Sequence, residues 1–432
     1  MRADTAGDDG ALAILRVASG NFLEMYDFIV FGFYAGPIGA AFFPSQDPFV
    51  SLMASFATFW AAFLMRPLGA LILGAWLDRH GRRAGLLLTL GLMSVGTMVL
   101  ALMPSYARIG MVAPLAVLSA RLLQGFSAGV ELGGVSVYLA EIAPAGRKGF
   151  FVSFQSASQQ VAVIAAAGLG ALLSGLLSPG QMRDWGWRVP LLIGCLIVPV
   201  LLVLRRGLRE TPDFEAGRDH PPTLSEILRA LRSEAGIVLT GMGLVTTTTV
   251  SFYLITVYTP TFGRSALHLP AGAVLAVTLC VGLSNLVWLP VSGALSDRIG
   301  RPSILLASTI ALLLLAYPLL WWVTEAPSFS RLLTAELVLS ALYGLYNGAM
   351  VVFLTELVPA RARSAGFSLA YSLAVAIFGG ATPLVCSLAI RATGNPAMPG
   401  AWLTLAAAIG LLATLAAIPA ARRRAVSALR SA

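Results

Sequence analysis

A chain of 432 residues that is 57% hydrophobic and 11% charged, with a mean hydropathy of +0.83, carries more apolar surface than a soluble fold can bury, so a lipid bilayer must be its solvent. The net charge of +9 does not point to nucleic acid, because the basic residues sit in short loops between apolar segments. Cys195, Cys280 and Cys386 lie scattered in apolar stretches with neither disulfide nor metal-ligand spacing, and read as small core residues.

The polar start MRADTAGDDG has no cleavable signal pattern, so the first apolar segment is expected to stay as a membrane helix. Twelve segments long enough to span then follow in order: 12–36, 49–76, 84–104, 111–140, 149–178, 188–206, 236–262, 271–295, 303–323, 332–356, 363–390 and 399–420. Connections are short except at 207–235, which is polar, charged and Pro-bearing. The fold expected is an all-α membrane protein of twelve transmembrane helices in two six-helix pseudo-symmetric bundles, 1–206 and 236–432, joined by a cytoplasmic linker over 207–235. With the N-terminus inside, 21 of the 29 Lys and Arg residues fall on the cytoplasmic side and 6 outside, which places both termini in the cytoplasm. Arg66 and Arg121 are the two left within spans.

An internal repeat supports the division. GAWLDRHGRR over Gly74–Arg83 returns as GALSDRIGRP over Gly293–Pro302, 219 residues later, and EIAPAGR over Glu141–Arg147 returns as ELVPARAR over Glu356–Arg363, 215 residues later. Both pairs follow the second and fourth spans of each half. In transporters built from repeats, the substrate sits near the membrane midplane between them. In the first repeated loop, Gly74 and Gly293 are expected to let helices approach closely. Asp78 and Asp297 are suited to bind helix N-termini or arginines and so lock one end of the bundle, with Arg79, Arg82, Arg298 and Arg301 beside them.

Ionisable residues inside the spans are the other signal. In span 1, Asn21, Glu24 and Asp27 recur at i, i+3 and i+6, and Glu24 lies roughly 15 Å and Asp27 roughly 18–20 Å above a helix start near Leu15. Arg66 precedes Asp78 by 12 residues, roughly 18 Å along a helix. In span 4, Arg121, Gln124, Ala128, Glu131 and Val135 share one face. A charged stripe is costly against lipid, so it should line a cavity. Three acids against two arginines leave an acid to carry a proton, and the planar guanidinium suits a carboxylate. Gln155 and Gln159 share a face in span 5. The second half supplies neutral groups: Thr246–Thr249, Ser251 and Tyr253 in span 7, Ser284 and Asn285 in span 8, and Tyr343, Tyr346 and Asn347 in span 10. All intramembrane arginines and midplane acids are therefore expected in the first half. An enzyme is not expected, since His80, His220 and His268 lie in loops or at span ends with no metal cluster or nucleophile–base pair.

The Gly-x-x-x-Asp-Arg-x-Gly-Arg loops, with GNFLEMYDF, FLMRPLGA, ARLLQGFSAGVELGGVSVYLAEIAPAGRKGF and DWGWRVP, resemble the metabolite:proton symporter family of the major facilitator superfamily. The likeness spans the chain, is strongest through 14–206, and in ELGGVSVYLAE and SFQSASQQVA resembles the citrate and tricarballylate branch. It implies uptake of a tricarboxylate with protons, by rocking of the two halves in a bacterial inner membrane. Sodium is the alternative coupling ion, and a dicarboxylate such as 2-oxoglutarate or a compatible solute the alternative cargo. On the family's pattern Asp27 and Arg121 match the coupling acid and the span-4 arginine, and Arg66-Pro67 the span-2 Arg-Pro. The expected roles are Arg66, Arg121, Gln124, Gln155, Gln159, Tyr343, Tyr346 and Asn347 for substrate, and Glu24, Asp27 and Glu131 for protons. No cofactor, metal or nucleic-acid partner is expected, and the protein should act as a monomer in the bilayer.

Overall fold

The structure, a computed structural model, describes residues 22–80, 82–129, 135–136, 139–140, 142–144, 146–206, 232, 235–358 and 363–431, with only the backbone described at 75, 77–80, 82–84, 86, 200–206, 363–365 and 420–431. Every regular element among them is helical.

The first span, α1, is broken: Phe22–Phe33 and Ala35–Phe42 meet at 72°. Pro37 explains the break, since its missing N–H leaves the Phe33 carbonyl without a helical donor. The span therefore runs on to Phe42 rather than ending near residue 36. Next come α2 (Pro48–Leu64, resuming as Arg66–His80), α3 (Arg82–Leu102), α4 (Val112–Ala128), α5 (Lys148–Leu176) and α6 (Arg188–Arg206). In the second half, α7 covers Ala235–Phe252, a wide turn at Tyr253–Tyr258 and Thr259–Ser265. Then follow α8 (Ala271–Ile299), α9 (Arg301–Glu325) and α10 (Phe329–Leu357). The last two are α11 (Arg363–Ala374, a wide turn at Val375–Gly379, then Thr382–Thr393) and α12 (Met398–Ser431). Each wide turn lies just before a proline, Pro260 or Pro383, where the regular hydrogen-bond ladder is already short of a donor.

Among the described residues, eight helices are long and apolar enough to cross a bilayer and the bent α1 makes a ninth; three shorter apolar helices, Leu87–Leu102, Val112–Ala128 and Arg188–Pro199, fall in the third, fourth and sixth spans. The polarity is inside out relative to a soluble protein. Leu196 and Leu412 are 73% and 69% exposed, whereas Arg66 and Arg121 are 1% and 0% exposed. Apolar side chains meet lipid, and charge is withdrawn into the bundle.

The packing repeats six spans apart. α3 packs on α4 and α6 as α9 packs on α10 and α12, and α2 packs on α4 as α8 packs on α10. The α2–α4 contact is backbone against backbone: Gly69, Gly125 and Gly129 stand so close to Phe126, Ala62 and Arg66 that a Cβ on any of them would clash. Between the halves the most extensive contact is α5 on α8, with α2 against α11 on the other side.

Candidate functional site

Two buried ion pairs lie one helical turn apart on α1. Arg66 Nη2 donates to Glu24 Oε1 at 2.8 Å, and Arg121 Nη1 donates to Asp27 Oδ2 at 3.0 Å. Pro67 interrupts α2 immediately after Arg66, which sets this side chain at the joint between the two segments of the helix. Both guanidiniums lie over the Phe28 ring, Arg66 at 4.9 Å and Arg121 at 5.5 Å; Arg66 also lies over Phe63 at 4.7 Å and Arg121 over Phe31 at 3.9 Å. Aromatic faces thus replace part of the water that each cation gives up.

The Asp27 pair is sealed. Gln124 Nε2 donates to Asp27 Oδ2 at 2.7 Å and lies 3.2 Å from Thr97 Oγ1, so helices α1, α3 and α4 converge on one carboxylate. The Arg66 pair is different, because Arg66 reaches a small cavity between the halves. Met25, Arg66, Gln159, Thr249, Phe252, Tyr253, Tyr343, Tyr371 and Val375 line it. It has room for about one water molecule, so the halves must part to admit anything larger. Three donors around it have no hydrogen-bond partner among the described residues: Arg66 Nε, Gln159 Nε2 and Thr249 Oγ1. Buried donors are normally satisfied, so this set marks a place for acceptors.

The remaining candidates divide. Tyr343 lines the cavity and its hydroxyl accepts from Asn347 Nδ2 at 3.3 Å, while Asn347 Oδ1 accepts from Thr248 at 2.8 Å. Arg121, Gln124 and Asn347 are buried and do not line the cavity. Tyr346 turns into the second half's interior, donates to the Leu244 carbonyl at 2.8 Å and does not line the cavity. Gln155 accepts from Ser156 at 2.8 Å and also lies off the cavity wall. Glu131 falls outside the described residues, as do the side chains of Asp78, Arg79 and Arg82. Tyr371 on α11 escaped the sequence reading; its one signal was a lone phenol in an apolar span.

The second half also holds a buried acid within a span, away from the middle of it, that the sequence reading did not single out. Glu336 on α10 is 1% exposed and its Oε1 is 2.7 Å from Thr259 Oγ1. It sits inside span 10, and a single Glu near a span end carries no periodic signal.

Each end of the bundle carries contacts between the halves. Asp297 accepts from the Gly149 and Phe150 N–H groups at 2.8 and 3.0 Å, at the N-terminus of α5, and Arg301 holds it from behind at 2.8 Å. Here the helix dipole and two donors act on one carboxylate. Gly149 and Gly293 pack carbonyl to Cα, leaving no room for a Cβ on either. Gly74, by contrast, has open space among the described residues where a Cβ would stand, and Arg298 is exposed. At the opposite end Arg391 Nη2 meets Asp47 Oδ2 at 2.9 Å, and Arg264 Nη2 donates to the Phe33 carbonyl at 2.9 Å. Both ends are therefore bridged around a minimal central cavity.

A family model described as Major Facilitator Superfamily matches residues 17–383. The chain is 55% identical over 410 residues to a citrate-proton symporter of Klebsiella pneumoniae, covering 95% of this chain and 92% of the relative. It is 53% identical over 402 residues to one of Salmonella typhi, covering 93% and 92%. A proline/betaine transporter of Escherichia coli K12 is 32% identical, covering 95% and 84%. Among solved structures, the E. coli xylose transporter XylE in a partially occluded inward-open conformation superposes with a TM-score of 0.75 at 18% identity, covering 94% of this chain and 96% of that one, which speaks to the fold alone. On these matches, over a twelve-helix fold with repeated packing, the chain belongs to the Major Facilitator Superfamily.

Proposed function

We propose that the protein is a secondary active symporter that carries citrate, or a close tricarboxylate such as tricarballylate, into the cell with protons by alternating access. The observation that carries this reading is the set of buried donors without a partner among the described residues, Arg66 Nε, Gln159 Nε2 and Thr249 Oγ1, around one cavity between the halves. A polyanion with several carboxylates answers those donors, and the tyrosine hydroxyls of Tyr253, Tyr343 and Tyr371 would complete its shell. The names of the two most similar relatives described above support the same cargo and the same coupling ion.

Coupling follows from competition. Arg66 cannot give its full fork to Glu24 and to a substrate carboxylate at once. A proton on Glu24 releases the guanidinium, so substrate and proton enter together. Asp27, held by Arg121 and Gln124, is the second coupling acid, with Glu131 proposed beside it. Residues 1–206 then supply most of the charge handling, 207–235 the cytoplasmic linker, and 236–432 the neutral half of the cavity. The excess of Lys and Arg on one side supports cytoplasmic termini, and with that orientation the Asp297 end is the inner gate. The protein works as a monomer in a bacterial inner membrane.

The test is uptake of labelled citrate into proteoliposomes under an imposed pH gradient. Accumulation should follow the gradient. Uptake indifferent to it removes the proton part, and a sodium requirement replaces protons with sodium. A zwitterionic cargo is the second reading, raised by the 32% identical proline/betaine transporter. Thermal stabilisation by betaine and not by citrate would favour it.

A further inference from the structure

We propose that Glu336 is a proton-binding site in the second half, and that its proton latches the outer segment of α7 in the closed arrangement. Glu336 is enclosed by protein, and its Oε2 has no hydrogen-bond partner among the described residues. Its Oε1 meets a single group, Thr259 Oγ1 at 2.7 Å. That same hydroxyl lies 3.1 Å from the Leu254 carbonyl, which also accepts the Thr259 backbone N–H across the wide turn of α7. A hydroxyl has one hydrogen and here faces two acceptors. The chain closes when Glu336 carries a proton: Glu336 O–H donates to Thr259 Oγ1, and Thr259 O–H donates to Leu254. An ionised Glu336 would keep one neutral hydrogen bond and no cation, a poor exchange for the water it lost.

The neighbouring charges are engaged elsewhere. On α7, Arg264 donates to the Pro260 and Phe33 carbonyls. On α10 itself, Arg331 donates to the Trp322 carbonyl. On α11, Arg391 pairs with Asp47, and on α9, Arg301 pairs with Asp297 and Glu356 at the far end. Arg298 of α8 and Lys148 of α5 are exposed at that same far end. The side chains of Arg363 and of the α12 arginines lie outside the described residues. Of the other titratable groups on these helices, Glu325 of α9 accepts from Trp321 and Tyr317 from Asn395, Tyr258 accepts from Ser387, Tyr343 from Asn347, Tyr346 donates to Leu244, Tyr253 and Tyr371 line the cavity, and Cys280 and Cys386 are free thiols.

The latch has a place to act. Five residues beyond Thr259, Arg264 crosses to the first half and takes the Phe33 carbonyl that Pro37 leaves open at the break in α1. When Glu336 loses its proton, Thr259 turns its hydrogen to the carboxylate and gives up Leu254. The wide turn loses its side-chain brace, and the α7 segment that carries Arg264 loosens from α1. The role in transport rests on the proton-coupled reading above; the measurements below need no substrate, so a failed citrate assay would leave the latch standing and a failed latch would leave citrate binding standing.

Hydrogen exchange of the full chain in lipid, corrected for intrinsic rates, tests this. In wild type, protection of Tyr253–Ser265 amides should fall about tenfold as pH rises from mildly acidic to alkaline. In Glu336→Gln, a permanently neutral donor of similar shape, and in Thr259→Val, that pH dependence should vanish. Infrared spectra of the wild type should show a protonated-carboxyl band that weakens over the same pH range and is diminished in Glu336→Gln. Equal pH dependence in wild type and Glu336→Gln, a flat wild-type profile, or an unchanged carboxyl band in the variant overturns the proposal.

Discussion

Arg66 Nη2 and Glu24 Oε1 are 2.8 Å apart, and only the arginine of this pair lines the cavity between the halves. On the proposed reading, the Glu24 carboxylate and a substrate carboxylate compete for Arg66, so a proton on the acid favours substrate at the cation. Glu24→Gln should keep citrate binding while removing its pH dependence and gradient-driven accumulation. Arg66→Ala leaves a buried carboxylate without its cation and should cost about 3–5 kcal/mol of stability. The double variant should recover much of that stability and still fail to bind citrate, which separates the structural from the binding role. Calorimetric titration and thermal unfolding read both.

Asp27 is held by Arg121 and by Gln124 at 2.7 Å, away from the cavity wall. Asp27→Asn should therefore abolish accumulation driven by a pH gradient yet leave citrate exchange across the membrane measurable. Gln124→Ala should lower thermal stability by about 1–3 kcal/mol through the lost bond to a buried carboxylate. Loss of citrate binding in Asp27→Asn, measured by titration, would move Asp27 into the binding set.

Asp297 receives two N–H groups of α5 in a contact between the halves. Asp297→Asn weakens two charge-assisted bonds and should shift the balance toward an open gate at this end by about 1.5–3 kcal/mol, roughly 10- to 150-fold in population. Gly293→Val should act in the same direction by sterics, because Gly149 lies against it. Alkylation of a cysteine placed at Thr249, from the Asp297 side, should speed up in both. Slower alkylation would assign the contact to another state.

Asp47 caps α2. The Phe49 N–H at 2.9 Å, and then Arg391 at 2.9 Å, hold its carboxyl below the ordinary carboxylate value. A lowered acid stabilises the folded form above its ordinary value, near 4, and loses that contribution as pH falls through the lowered one. The difference in melting temperature between wild type and Asp47→Asn should be constant around neutrality and vanish in strong acid. High salt should shrink it, since the pair is exposed. A difference that grows toward acid would contradict this.

Twelve spans, their duplication and the unusual acids and arginines of the first half are legible along the chain, because each is a local departure from the cost of polarity in lipid. Which partner each acid takes is not. Glu24 and Arg66 are 42 residues apart and Asp27 and Arg121 are 94 apart, and nothing in either spacing sets the pairing. The face each helix turns inward decides it. The same rotation sends Tyr346 to the Leu244 carbonyl and brings Tyr371 to the cavity, although the two phenols look alike in sequence.

The residues alone settle that this is a membrane protein of two six-helix halves, since apolar length and repeated loops need no third dimension. Packing alone assigns the chemistry within it. It makes Arg66 and not Arg121 the guanidinium on the cavity wall, and it joins Glu336 to the wide turn of α7. The physical reason is that burial and hydrogen-bond reach depend on how separate helices rotate and approach, and in this bundle backbone contacts at Gly125, Gly129 and Gly293 bring the helices together.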